Sequence, residues 1–242
     1  MKDAAPVPCS ARTSDLWWAP VWARHSPQYV DAATRAPADE RALRRELIFC
    51  LLGGHGVTFE LAMSATDVVL AMCPFDASWT HATLGEALRS EFGKPQFEPR
   101  RRDGSLRRYR FPTRKAHLIT EAVSWVALQD GLRGGLKARS DESDRRAWLC
   151  ECPGVGMKTA SWVLRNCGWA RNVAILDVHL LRALVEADVV RDTTLPRDYL
   201  AVEDAYLRWA DELGACPAAL DLFLWDVQRS LRTSAPPLAA GT

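Results

Sequence analysis

The 242-residue chain has no apolar run of about eighteen residues, the length that a membrane-crossing helix needs. Its first fifteen residues, MKDAAPVPCSARTSD, lack the apolar core of a secretion signal, so the expected compartment is the cytoplasm. Net charge is nearly absent as well. The 31 basic and 30 acidic residues leave +1, and the overall field does not single out a polyanionic partner. Cysteine is present but unpaired. Cys9, Cys50, Cys73, Cys150, Cys152, Cys167 and Cys216 form no paired CxxC elements, and an odd seven in such a chain points to free thiols. What remains, 48% hydrophobic and 25% charged residues, is ordinary for a globular protein of one domain or two small lobes.

The charge that is there is uneven. Arg100, Arg101, Arg102, Arg107, Arg108, Arg110, Arg114 and Lys115 fall within sixteen positions. They are either a solvated loop or a patch that pairs phosphate oxygens of a nucleic-acid backbone, for which the guanidinium fork is suited. The densest signal lies at 150–182, CECPGVGMKTASWVLRNCGWARNVAILDVHLLR. Pro153-Gly154-Val155-Gly156 reads as a tight turn, because proline pre-sets its own φ and glycine admits conformations and close approaches that a β-carbon blocks. Ala160, Val163 and Leu164 then recur at helical spacing, which predicts a helix over Met157–Asn166. A turn of this kind points free backbone N–H groups outward, and phosphate suits them. Lys158 stands in the first helical turn, and Asp177 nineteen residues later at the head of the next apolar helix. This pairing points to amine chemistry on a nucleic acid. The alternative is a surface lysine on a binding hairpin and a carboxylate that only caps a helix.

PGVGMKTASWVLRN followed by AILDVHLLR resembles the helix-hairpin-helix DNA glycosylase superfamily, and within it the compact 8-oxoguanine DNA glycosylase/lyase branch of archaea and bacteria. The resemblance covers about residues 40–230. It implies a base excision repair enzyme, both DNA N-glycosylase and abasic-site lyase, acting as a nucleoid-associated monomer on damaged double-stranded DNA. In that family Lys158 would be the nucleophile and Asp177 its electrostatic partner. Gly154 and Gly156 would bring hairpin amides to a phosphate, and Arg108 and Arg110 would join the DNA-binding surface. His55, in Gly53-Gly54-His55-Gly56, stands where a similar family segment carries glutamine, so it is either a contact near the extruded base or a loop histidine in water. The last helix, LDLFLW, resembles the segment that supplies a stacking tryptophan, which implies Trp225, with Phe223 beside it, for the base pocket. A core tryptophan is the other reading, and most of the ten tryptophans are expected to be core or surface anchors.

The resemblance also implies that carbonyls of Cys150, Cys152 and Val155 can hold a monovalent cation. No other cofactor is expected, because the close-set C-terminal cysteine quartet that carries an iron–sulfur cluster in some relatives is missing. Some compact relatives use a C-terminal lysine on the oxidised base, whereas this chain has no lysine after Lys158. Two other functions therefore stay open: a glycosylase/lyase for another damaged base, and a non-catalytic helix-hairpin-helix DNA-binding protein.

The expected fold is all-α, a two-lobed helical helix-hairpin-helix glycosylase fold. Residues 1–38, rich in Pro, Ala and Ser, read as an irregular arm that packs Trp17, Trp18 and Trp22 onto the body. The helical domain fills 39–242, with one lobe at about 39–130, a joint at 131–140, and the hairpin lobe at about 141–230, whose C-terminal helix closes the cleft. Asp39 can cap a helix to about Leu52 with Leu43, Leu47, Ile48 and Leu51 as its stripe. Further helices are expected at 59–72, 84–92, 113–129, before Leu149, after Asp177, at 199–213 and from Pro217 on. Asp103-Gly104 is a turn signal for a short β-hairpin near 97–111.

Overall fold

The computed structural model describes residues 15–54, 56–191, 195 and 197–234. The chain is helical throughout them: α1 Asp15–His25, a 3-10 turn Ser26–Tyr29, α2 Val30–Thr34, α3 Glu40–Leu52, α4 Phe59–Ala71, α5 His81–Gly93, α6 Pro112–Leu128, α7 Gly131–Lys137, α8 Glu142–Leu149, α9 Met157–Asn166, α10 Val178–Glu186, α11 Tyr199–Glu212 and α12 Pro217–Ser234. Among the described residues there is no sheet, and no helix is long and apolar enough to cross a membrane.

Two compact units divide the chain, one spanning 35–170 with α3–α9, the other combining 1–34 with 171–242 and carrying α1, α2 and α10–α12. This corrects the lobes expected at 39–130 and 141–230. The stretch 131–140 is no joint. Its first amides are capped from afar, by the Glu40 carboxylate, which accepts from Leu132 N at 3.1 Å and Arg133 N at 2.7 Å. A β-carbon at Gly135 would lie 2.1 Å from the Trp148 ring, so this glycine serves close packing rather than flexibility. The hairpin helices α8 and α9 thus belong with α3–α7.

The centre of the 35–170 unit is α3. Asp39 caps it as expected, its Oδ1 accepting from Ala42 N at 2.8 Å. The four-residue stripe underestimates its burial, for Phe49, Cys50 and Leu52 are buried too. A helix end that is apolar all round is a core helix, and α4, α6, α7 and α9 pack against it. From α9 it receives the face carrying Ala160, Val163 and Leu164, each fully buried.

The hairpin expected at 97–111 shrinks to one antiparallel bridge, in which Phe97 and Arg107 exchange both backbone bonds at 3.0 Å. The Asp103-Gly104 turn is present, with Gly104 at φ +81°. No strands extend from it: Pro99 has no backbone N–H for the ladder, and arginine side chains bond carbonyls on both sides of the turn. Arg107 Nε donates to Pro99 O at 2.6 Å and Arg100 Nη1 to Gly104 O at 2.9 Å. Phe92, Phe97 and Tyr109, with ring centroids 4.9–6.2 Å apart, anchor the segment instead.

In the other unit, the described part of the N-terminal arm, 15–34, is helical rather than irregular. Trp18 and Trp22 are buried and Trp17 is half exposed. The arm folds because α12 offers an aromatic seat: Phe223 meets Trp22 at 5.5 Å and Tyr29 at 5.7 Å, and the Tyr29 hydroxyl donates to Asp226 Oδ2 at 2.9 Å.

Candidate active site and nucleic-acid face

The Pro-Gly-Val-Gly turn closes as its sequence dictates. Cys152 N donates to Leu149 O at 3.1 Å and Val155 N to Cys152 O at 3.0 Å. Gly154 sits at φ +82°, and a β-carbon there would come within 2.8 Å of Leu118 Cδ2 and 3.3 Å of Leu51 Cδ2. The turn therefore rests on α3 and α6. Gly156 differs: its φ is −104°, ordinary extended backbone, and a β-carbon would meet nothing within 4 Å. It begins α9 without a side-chain cap, although Ser, Asn or Asp caps better. Among the described residues nothing calls for glycine here, and its bare backbone allows close approach by an outside group.

Lys158, half-buried, occupies the first turn of α9. The surroundings of its end of the unit hold a feature that spacing alone did not reveal. Residues 109–115 supply side-chain donors to the carbonyls of the glycine loop at 51–56. Tyr109 Oη donates to Leu52 O, and Lys115 Nζ donates to Leu51 O and, at 2.8 Å, to Gly53 O. Arg110 Nη1 donates to Gly56 O at 2.9 Å, with its guanidinium 5.1 Å from the Phe111 ring. Lys115 is pulled down from the ordinary lysine value to about 8, chiefly by burial and further by the charges of Arg114 and Lys158. In the sequence Lys115 looked like one more cation of an arginine patch. Its placement after a Tyr-Arg-Phe-Pro run was the available clue, but the partner carbonyls lie more than sixty residues away.

The arginine patch is thus partly structural. Arg110, expected to hold DNA, uses one of its donors on the glycine loop. Arg108 is exposed, as are Arg101, Arg102 and Arg114. His55 lies outside the described residues.

Asp177 belongs to the other unit. It caps α10, with Oδ1 accepting from both His179 N at 2.8 Å and Leu180 N at 2.9 Å; Oδ2 takes neither bond. The apolar strand-like stretch before it is fixed by two buried acids. Glu203 Oε1 accepts from Ala174 N at 2.8 Å and Asp221 Oδ2 from Ile175 N at 2.7 Å, while the Tyr199 hydroxyl donates to Ala174 O. Sequence reading missed both acids. Glu203 follows Val202 on the buried stripe of α11 and Asp221 interrupts the apolar run AALDLFLW, and a charge at such a position is the signal.

Trp225 is half-buried, with Arg229 5.1 Å from its ring centre and His179 6.3 Å away. Phe223, expected in the base pocket, is a correction. It is 1% exposed, enclosed by Trp18, Trp22, His25 and Tyr29, because it lies two positions from Trp225 on a helix and so faces the opposite side. A hollow of about 370 Å³ lined by His81, Glu86, Arg89 and His117 includes none of the candidate residues.

As for a cation at the turn, Cys152 and Val155 are buried side chains, and the Cys152 thiol is pushed up to about 12 by burial. The thiols are thus neutral, and any ligand would be a carbonyl. Cys152 O accepts one N–H and keeps a second lone pair, so the turn is compatible with a monovalent ion. Among the described residues no group of three or more His, Cys, Asp and Glu side chains could hold a metal.

A profile of the family described as 8-oxoguanine DNA glycosylase matches residues 96–215. An 8-oxoguanine DNA glycosylase/AP lyase of Metallosphaera sedula is 34% identical over 48% of this chain and 57% of its own length. The chain thus spans little more than half of that relative. Another, of Thermoplasma acidophilum, is 27% identical over 78% of this chain and 80% of its own. Among solved structures, the 8-oxoguanine glycosylase/lyase of Methanocaldococcus jannaschii in complex with a 15mer DNA containing 8-oxoguanine superposes with a TM-score of 0.57, at 21% identity over 87% of this chain and 90% of that one, a likeness of fold.

Proposed function

We propose, for a chain that belongs to the 8-oxoguanine DNA glycosylase family of helix-hairpin-helix proteins, that it removes 8-oxoguanine from duplex DNA and then cuts the strand as a lyase. The target carbon is unreachable inside a stacked duplex, so the nucleotide is extruded. Lys158 attacks C1′ through its neutral amine. The base departs, the sugar ring opens, and a Schiff base joins Nζ to C1′. That iminium acidifies the neighbouring sugar proton, whose loss expels the 3′ phosphate by β-elimination. Neither water nor a hydroxyl nucleophile gives this second step by the same route. Asp177 is the electrostatic partner: a carboxylate held by two amides stabilises the positive charge that develops on the sugar as the base leaves.

The observation that carries the reading is Lys158 in the first turn of a helix that starts, uncapped, on a glycine that no described neighbour requires. An open, amide-rich start of this kind suits a phosphate, and the exposed Arg108 and Arg110 supply further cations for the DNA backbone. Trp225 is the platform on which the flipped base stacks. The Cys150, Cys152 and Val155 carbonyls hold a monovalent cation that stiffens the turn. The protein acts as a monomer in the cytoplasm, associated with the nucleoid.

Borohydride trapping on a duplex with a single 8-oxoguanine tests this. Wild type should form a covalent protein–DNA adduct, and Lys158→Gln should form none. Absence of trapping by wild type on any damaged or abasic duplex would overturn the enzyme reading. A non-catalytic binder would instead shift undamaged DNA with an affinity that falls steeply with salt. Duplexes carrying one other lesion each, scored for base release, separate 8-oxoguanine from another damaged base.

A further inference from the structure

The backbone just before Asp177 is buried and irregular. Val173, Ala174, Ile175 and Leu176 are at most 5% exposed and belong to no helix, so their N–H and C=O groups have neither water nor a helical ladder to bond with. Side chains of α11 and α12 meet that need at two adjacent residues. Ala174 is held at both ends by α11: its N–H donates to Glu203 Oε1 at 2.8 Å, and its carbonyl accepts from the hydroxyl of Tyr199, one turn earlier on the helix. Ile175 is held at both ends as well. Its N–H donates to Asp221 Oδ2 of α12 at 2.7 Å, and its carbonyl accepts from Asp177 N at 2.6 Å. The first turn of α12 is tied to the same stretch, Ala218 N donating to Arg171 O at 3.1 Å. All four polar backbone groups of Ala174 and Ile175 are thus engaged. Glu203 and Asp221 are themselves only 3% and 4% exposed, a costly place for a carboxyl group.

We propose that Glu203 and Asp221 are positioning residues of base release: they fix the backbone of Ala174 and Ile175, and through that backbone the place of the Asp177 carboxylate. The proposal rests on the assignment of Asp177 as electrostatic partner. Two residues of chain reach about 7 Å at most, and only the buried Leu176 stands between Ile175 and Asp177. A tilt of the Ile175 peptide therefore passes on to Asp177. The Asp177 side chain does not correct it, because its Oδ1 is bonded to the amides of His179 and Leu180 and moves with them. A misplacement of about 1 Å in a reacting constellation costs on the order of 10²-fold in rate. An apolar side chain at 203 or 221 would fill the space and leave the N–H without an acceptor, so the two acids serve the course of the backbone rather than the packing of α11 and α12.

The test is a double-mutant cycle on single-turnover base release from a duplex with one 8-oxoguanine, with affinity for the same duplex measured alongside. Glu203→Leu and Asp221→Leu should each slow release by roughly 10–10²-fold and leave the affinity unchanged. Glu203→Gln and Asp221→Asn keep an oxygen for the same N–H and should retain most of the rate. In an Asp177→Asn background the leucine substitutions should cost nothing further, because they act through a carboxylate that is no longer there. Tyr199→Phe removes a single hydroxyl from Ala174 O; it should show the same pattern with a smaller loss, and it carries the test if the leucine variants do not fold. An equal loss in the wild-type and Asp177→Asn backgrounds, or a full rate in Tyr199→Phe and in folded leucine variants, would overturn the positioning role. So would a loss in the Gln and Asn variants as large as in the leucine ones. Full activity of Asp177→Asn by itself would overturn the assignment of Asp177, and the positioning role with it.

Discussion

The two units hold their key residues in opposite ways. In the unit with α10–α12, Asp177 is fixed through its own side chain, one oxygen receiving two amides, and the stretch before it is tied to the buried carboxylates of Glu203 and Asp221. In the 35–170 unit, Lys158 rides on a helix that no side chain caps, located through the packing of Gly154 on Leu118 and Leu51. The difference matches what each group has to do in the proposed reaction. A carboxylate that acts through its field works best when it need not reorganise as charge develops. A nucleophile must reach a carbon and stay attached through a covalent intermediate, which a half-buried lysine in the first turn of a packed helix suits.

Five substitutions can break or sharpen this contrast. The largest effect is expected on the fixed side. Phe223→Ala should lower stability by about 3–5 kcal/mol, measured by urea unfolding, because it empties the seat of the N-terminal helices; Trp225→Ala should leave stability far less changed and weaken lesion binding. A near-neutral Phe223→Ala would mean that the arm is not seated as described. Next, Asp177→Asn keeps a good cap but loses the charge, so single-turnover base release should fall by roughly 10²–10³-fold with the melting temperature almost unchanged. Full activity in this variant would reduce Asp177 to a cap. On the lysine side, Gly154→Ala forces a side chain to φ +82° against Leu118 and should cost about 1–3 kcal/mol of stability. The smallest stability change belongs to Gly156→Ala, within about 0.5 kcal/mol, yet its DNA affinity should drop. Equal DNA binding by Gly156→Ala would remove the argument for close phosphate approach.

Much of the fold is legible because its determinants are local. Asp39 and Asp177 announce their helices by cap chemistry, and α9 begins and ends where the periodicity of Ala160, Val163 and Leu164 places it. The misreadings share a cause. Gly131 and Gly135 look like a flexible joint until Glu40 and Trp148 arrive from elsewhere. The arm looks irregular until α12 supplies Phe223 as an aromatic seat. Asp103-Gly104 does make its turn, but the ladder stops after one bridge, where Pro99 offers no N–H and Arg100 and Arg107 bond the nearby carbonyls.

By itself the sequence determined the helical class, the position and chemistry of the hairpin, and the identity of Lys158 and Asp177 as the residues to watch, since cap, turn and periodicity act within a few residues of chain. Only the tertiary structure decided the division into units, the burial of Phe223 and the bonding of Lys115 to the carbonyls of Leu51 and Gly53. Those depend on which distant carbonyls, rings and charges come within a few ångströms, and hydrogen bonds, packing and Coulomb interactions respond to distance in space, not along the chain.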